Sequence, residues 1–257
     1  LGARLHRLET LLASWRNLGE RLEGFGTWLV ATAREKGGNQ RHAQAARSYQ
    51  ELEAALDMME LKLACRQPSS QRDAYLRVRP LGPQLPGKDG LKILLEMYQG
   101  WARRIDAELL VLNDPLDQEE PTLVLRLIGP QSYGLLQQEG GLHRFSMTRK
   151  ESGRRQSALL RVEVIPAAPA DFRLTEEELH CEGGLLRSPT NGRYGGRPRS
   201  WFGALHLESS TLAEGRNSLE LAANEQAVRD YLAALIAWSP GADQGARVIR
   251  SYYLEPD

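Results

Sequence analysis

The spacing of apolar residues changes period once along this chain, and that change constrains the fold more than any other feature. From residue 1 to about 64, apolar side chains recur three and four apart, as Leu5, Leu8, Leu11, Leu12 and Trp15 and again as Leu52, Leu56, Met59 and Leu63. That spacing draws one apolar stripe along a helix. The polar stretch Glu35–His42 contains Gly37-Gly38 and predicts a turn between two long helices, so the N-terminal product is a helical hairpin or small bundle. Gln67-Pro68-Ser69-Ser70 breaks the pattern and reads as a linker. From Asp73 the period falls to two. Ala74–Arg79, Leu109–Val111, Leu123–Leu127, Leu160–Val164 and Val248–Leu254 alternate as strands do, and helices are expected over Leu91–Ile105 and Glu225–Trp238. Pro80–Gly90 and the Gly-, Arg- and Pro-rich stretch Gly183–Gly203 predict loops. The fold class is therefore α+β.

With 257 residues the chain has room for one large domain or two to three smaller ones. Its 33 Lys and Arg balance 33 Asp and Glu, so bulk charge gives no attraction to nucleic acid, and only a local cluster could supply one. Cys65 and Cys181 lie far apart and form no CxxC pair, which argues against a disulfide framework or a zinc site and for a reducing compartment. No apolar run approaches the length that spans a bilayer. The chain opens on Leu1 rather than methionine, which leaves a removed targeting segment or an absent start as alternatives. Cys181 beside His180 and Glu182 has no helix or strand context in the sequence to position it as a nucleophile.

Gly129, Tyr133, Gly134, Leu136, Glu139, Gly141, His143 and Arg144 stand at the spacing G-x-x-x-Y-G-x-L-x-x-E-x-G-x-H-R without a gap. This segment resembles class I peptide chain release factors of the bacterial and organellar type. Other islands agree in order and spacing: Asp73-Ala74-Tyr75-Leu76, Met97-Tyr98-Gln99-Gly100-Trp101-Ala102, Gly153-Arg154-Arg155, and Ile249-Arg250-Ser251-Tyr252. Together they cover about Asp73 to Asp257. The resemblance implies a helical N-terminal domain (1–70), a central α+β domain (71–168 plus 240–257) completed by the C-terminal strand, and a small third domain (169–239). It also implies that the central domain reads stop codons, while a Gly-Gly-Gln loop on the third domain helps water attack the peptidyl-tRNA ester.

The departures fall on both of those sites. After His143-Arg144 the chain runs Phe145–Gln156 with no codon-reading tripeptide, about two residues short, and Gln156 replaces the histidine that stacks on the codon. Gln has no aromatic face for a base. Pro169-Ala170-Asp171-Phe172-Arg173-Leu174 resembles the family's P-A-D-L-R-I, and counting on from it puts Gly183-Gly184-Leu185 where Gly-Gly-Gln belongs. The glycines would still permit a tight turn, but Leu185 has no hydrogen-bonding side chain to position water. The family's basic helix start is reduced to Gly215-Arg216-Asn217-Ser218.

No catalytic residue is therefore expected, and neither cofactor nor metal. The expected function is a non-hydrolytic, ribosome-associated protein that binds ribosomal RNA and proteins, with no membrane or small-molecule partner. The expected compartment is the mitochondrial matrix or another organelle, otherwise the cytoplasm. RNA contacts are expected from two basic clusters, Arg149, Lys150, Arg154 and Arg155 in the central domain and Arg193, Arg197, Arg199 and Trp201 in the third. His143-Arg144 is expected to be interior framework. The alternatives are an RNA-binding protein acting on transcripts off the ribosome, and a residual peptidyl-tRNA hydrolase.

Overall fold

A computed structural model of the chain describes residues 2–32, 39–65, 67, 69–82, 86–105, 107–114, 121–129, 131–148, 155–186, 199–217, 219–238 and 247–254. They fall into two compact units, Leu1–Ala64 and Cys65–Asp257. The first is two helices, α1 (Gly2–Thr32) and α2 (Asn39–Ala64). Leu52 and Met59, seven residues apart on one stripe of α2, are buried. The expected turn at Gly37-Gly38 lies outside the described residues.

The second unit is built on one nine-stranded sheet. Its strands are β1 (Ala74–Pro80), β2 (Glu108–Asn113), β3 (Leu123–Ile128), β4 (Gly141–Thr148), β5 (Arg155–Pro166), β6 (Leu179–Leu186), β7 (Arg199–His206), β8 (Thr211–Asn217) and β9 (Val248–Leu254). They lie in the order β6-β7-β8-β2-β3-β1-β5-β4-β9. Three helices complete the unit: α3 (Pro86–Arg104), α4 (Ser132–Leu136) and α5 (Leu221–Ala237).

Alternation sorts the side chains of the central strands onto two faces. Ala74, Leu76 and Val78 of β1, with Leu160, Val162 and Val164 of β5, pack on one face. There α3 lays Leu91, Leu94, Tyr98 and Ala102, at helical spacing, against them. Asp89 in its first turn and Arg103 and Arg104 in its last complement the helix dipole. The intervening residues Tyr75, Val124 and Ile165 point to the other face, where α5 brings Val228, Tyr231 and Leu232.

The expected C-terminal strand returns to this sheet. β9 pairs parallel with β4, Arg144 opposite Ser251 and Phe145 opposite Tyr252, and the Tyr252 ring stacks on Phe145 at 4.4 Å between centroids. β6, β7 and β8 form an antiparallel meander under α5. It joins the central strands through a parallel bridge between Asn113 of β2 and Arg216 of β8.

Several sequence expectations need correction. α3 begins at Pro86, inside the expected loop Pro80–Gly90, and α5 begins at Leu221 rather than Glu225. β4, β6, β7 and β8 did not read as strands because polar and glycine residues interrupt their alternation. The expected loop Gly183–Gly203 is strand at both ends, up to Leu186 and from Arg199, while its middle lies outside the described residues. Gly215-Arg216-Asn217 closes β8 rather than opening a helix.

His143 is completely buried on β4, as the framework reading expected, but Arg144, turned to the opposite face of the same strand, is exposed and is not interior. The His143 Nε2 faces the carbonyl of Glu139 and its Nδ1 the Tyr252 hydroxyl, each at 3.1 Å. A carbonyl only accepts, so Nε2 carries the proton, and the neutral ring accepts at Nδ1 from Tyr252. Burial pushes the His143 pKa down, against the smaller opposing pull of that carbonyl. The unfolded chain therefore binds this proton more readily than the folded one. His143's contribution is complete above about pH 6.5 and falls as pH drops below it. Urea midpoints should fall from pH 7 to pH 5, and His143→Gln should flatten that dependence. An unchanged slope in the variant would contradict the assignment.

Candidate functional site

Three of the motif islands meet in one interlocked cluster. The Tyr98 hydroxyl donates to Glu139 Oε2 at 3.4 Å, and Glu139 Oε1 accepts from Arg250 Nη2. The Tyr252 hydroxyl, which donates to His143, also lies 3.9 Å from the Met97 sulfur. At the other end of the sheet, Asp73 accepts from the Gly129 backbone N–H and from Arg126, which also pairs with Asp230 of α5 at 2.9 Å. A Cβ on Gly134 would stand 2.6 Å from the Cys65 sulfur. These residues hold elements together, and none presents a free reactive group.

The codon-reading segment maps to the β4–β5 connection. Met147 pairs with Gln156 and Thr148 with Arg155, so Gln156 is a half-buried strand residue. Arg149, Lys150 and Arg154 lie outside the described residues. Arg155 stands on β5 rather than in a loop, with its guanidinium 4.7 Å from the Tyr253 ring centroid.

The hydrolytic segment corrects the expectation of a tight turn. Gly183, Gly184 and Leu185 lie within β6, paired with Phe202, Trp201 and Ser200 of β7. Gly183 has a packing reason, since a Cβ there would meet the Phe202 ring at 2.5 Å. A Cβ at Gly184 would make only an ordinary contact, 3.4 Å from the Trp201 indole nitrogen. Leu185 is 72% exposed and offers no donor or acceptor.

β6 also supplies the strand context that the sequence lacked around Cys181. Alternation turns Cys181 toward one face and His180 and Glu182 toward the other, where they pair with each other at 3.2 Å. Burial pushes the Cys181 thiol pKa up, which disfavours the nucleophilic thiolate. Of the second basic cluster, Arg193 and Arg197 lie outside the described residues. Arg199 and Trp201 stand on β7, on one face of that strand, and Trp201 is paired with Arg216 of β8.

A cleft of about 600 Å³ opens between α5 and the segment 167–174, lined by Tyr75, Arg126, Phe172, Arg229 and Asp230 among others. Two of its cations are engaged by carboxylates: Arg126 is held by Asp73 and Asp230, and Arg229 by Glu176 and Glu225. Arg173, also in the lining, donates to the Phe172 carbonyl.

Sequence reading named Arg155 but missed the group of side chains it belongs to. Arg77, Arg79, Arg144, Arg155 and Arg161 share the sheet face opposite α3, with Glu163 between them. The signal was present as arginines two residues apart in β1 and six apart in β5, both even spacings that keep one face.

Comparison with known proteins agrees with this architecture. A model of the PCRF domain matches residues 1–162. Peptide chain release factor 2 of Chloroflexus aggregans is 26% identical over 276 residues, covering 98% of this chain and 74% of the relative. The same factor from Thermotoga maritima is 27% identical over 191 residues, covering 72% of this chain but only 52% of the relative. The structure of RF2 of Thermus thermophilus superposes with a TM-score of 0.62 at 24% identity over 98% of this chain and 75% of that one, a likeness of fold. Fold, motif order and the match over residues 1–162 agree: this chain belongs to the PCRF-domain family of peptide chain release factors.

Proposed function

We propose that this protein is a non-hydrolytic member of its family, one that attaches to a ribosome or large ribosomal precursor without reading stop codons or cleaving peptidyl-tRNA. The observation that carries the reading is β6. Where the relatives' resemblance calls for a Gly-Gly-Gln turn, Gly183-Gly184-Leu185 is extended and paired, and the third residue has no polar side chain. Gln156 in place of a stacking histidine supports the same reading at the decoding end. The framework around Glu139, His143 and Tyr252 is intact, as expected of a shape retained for docking.

At zero net charge, attachment to RNA depends on local arginines. Each phosphate neutralised adds about 0.7 to 0.9 to the slope of log K against log salt. Replacing Arg193, Arg197 and Arg199 with alanine is expected to weaken binding to purified ribosomes and to lower that slope by about two, with the circular dichroism spectrum unchanged. Equal affinity and slope for variant and wild type would remove these residues from the interface.

A further inference from the structure

We infer that the exposed patch at the β4–β5–β9 end of the sheet, on the face opposite α3, is a single-stranded RNA-binding surface centred on Arg144, Arg155 and Tyr253. The inference shares with the reading above only the choice of RNA as the polyanion.

Register brings the groups together. On β5, Arg155, Ser157, Leu159, Arg161 and Glu163 project to this face; Thr148 of β4 lies opposite Arg155, Ser146 opposite Ser157 and Arg144 opposite Leu159. The hydroxyls of Ser146 and Ser157 meet at 2.9 Å, which confirms the shared side. β1 adds Arg77 opposite Glu163 and Arg79 opposite Arg161. β9 adds Ser251 opposite Arg144 and Tyr253 opposite Ser146. Strand geometry spaces such positions by about 4.8 Å across the sheet and about 6.7 Å along it.

α5 covers the end of this face that holds Tyr75 and Ile165. Beyond it, Arg144, Arg155 and Ser251 are exposed, and Tyr253 is 71% exposed. The balance of charge is one-sided. Among the described residues of β1, β4 and β5 on this face, Arg77, Arg79, Arg144 and Arg155 stand with one carboxylate, Glu163, which Arg77 approaches to 2.6 Å and Arg79 to 3.5 Å. Arg144 and Arg155 have no ion-pair partner among the described residues. In a chain whose total charge is zero, this concentration marks a polyanion partner.

The aromatic group decides which polyanion. Arg155 lies over the Tyr253 ring at 4.7 Å from its centroid. An exposed tyrosine held flat by a guanidinium is a platform on which a base can stack while neighbouring arginines hold its phosphates. An acidic protein segment would satisfy the arginines but gain nothing from the ring.

The test uses the full chain and a 5′-fluorescent 12-nucleotide oligouridylate, with anisotropy read across a salt series. Wild type is expected to bind, with an affinity that falls as salt rises. Arg144→Gln with Arg155→Gln is expected to lower the salt slope by about 1.4, two phosphate contacts on a single strand. Tyr253→Ala is expected to weaken binding roughly tenfold at constant slope, with Tyr253→Phe restoring it. Polyglutamate should compete poorly. Loss of no affinity in either set of variants, or no binding by wild type, overturns the surface; equal competition by polyglutamate with no effect of Tyr253→Ala assigns the face to an acidic protein instead. The same variants on purified ribosomes separate the two proposals. Unchanged ribosome binding with lost oligonucleotide binding leaves the surface standing but shows that ribosome attachment does not use it. Unchanged values in both assays sink the surface and leave the ribosome reading in place. A wild type that binds oligonucleotide but no ribosome supports the surface and removes the ribosome reading.

Discussion

Ribosomes paused at any of the three stop codons are expected to release no peptide above background when this protein is present at concentrations that saturate with an authentic release factor. Leu185→Gln is expected to leave that result unchanged. Leu185 offers no group to position water, and misplacement of a positioning group by 1 Å alone can cost about a hundredfold. Restoring the amide would not restore the geometry, because the residues before it are committed to the sheet. To expose a turn at Gly183-Gly184, β6 would have to peel from β7, giving up its pairing with Phe202, Trp201 and Ser200. The codon end would still lack an aromatic at Gln156. Release above background by the wild type, in a reconstituted termination assay, would return the chain to the hydrolytic class.

The largest stability effect is expected at Asn224, whose side chain ties α5 to the meander. Its Nδ2 donates to Ser200 Oγ at 3.0 Å and to the Gly215 carbonyl at 3.1 Å, and its Oδ1 accepts from Asn217 Nδ2 at 2.8 Å. Asn217 Nδ2 also donates to the Leu112 carbonyl of β2 at 2.9 Å, so one buried network spans β7, β8, β2 and α5. Asn224→Ala leaves buried acceptors and a donor unpaired. Each such orphan costs about 1–3 kcal/mol, so a loss of about 3–5 kcal/mol is expected in urea unfolding. The network crosses the place where β8 meets β2 through one bridge, so the variant should loosen β6–β8 and α5 before the central strands. Hydrogen exchange would show this as early opening of β7 and β8. A loss under 1 kcal/mol would mean that the network is not a structural tie.

Most of the fold was legible where burial on one face imposed its period on the sequence. β1, β3, β5 and β9 alternate because one set of their residues packs under α3 and the other does not. β4 was not, because its core face includes His143, a polar residue whose hydrogen-bonding capacity is satisfied inside. β6 was misread for a different reason. Gly183-Gly184 carries the local signal of a turn, but the reason for Gly183 lies on β7, in the Phe202 ring that leaves no room for a Cβ. A neighbour found only in tertiary structure overrode a local rule. The erased chemistry at Leu185 and Gln156 was readable residue by residue, since each lacks a group the reaction or the codon requires. The arginine face was not, because it is assembled from strands distant in sequence whose order no local pattern reveals.

Sedimentation tests the central claim most directly. Labelled wild-type protein is mixed with purified ribosomes and ribosomal precursors at low salt and run through a sucrose gradient. Co-migration with a ribosomal particle, lost progressively as salt is raised and accompanied by no peptide release, is the predicted result. Protein that stays at the top of the gradient at low salt contradicts the account.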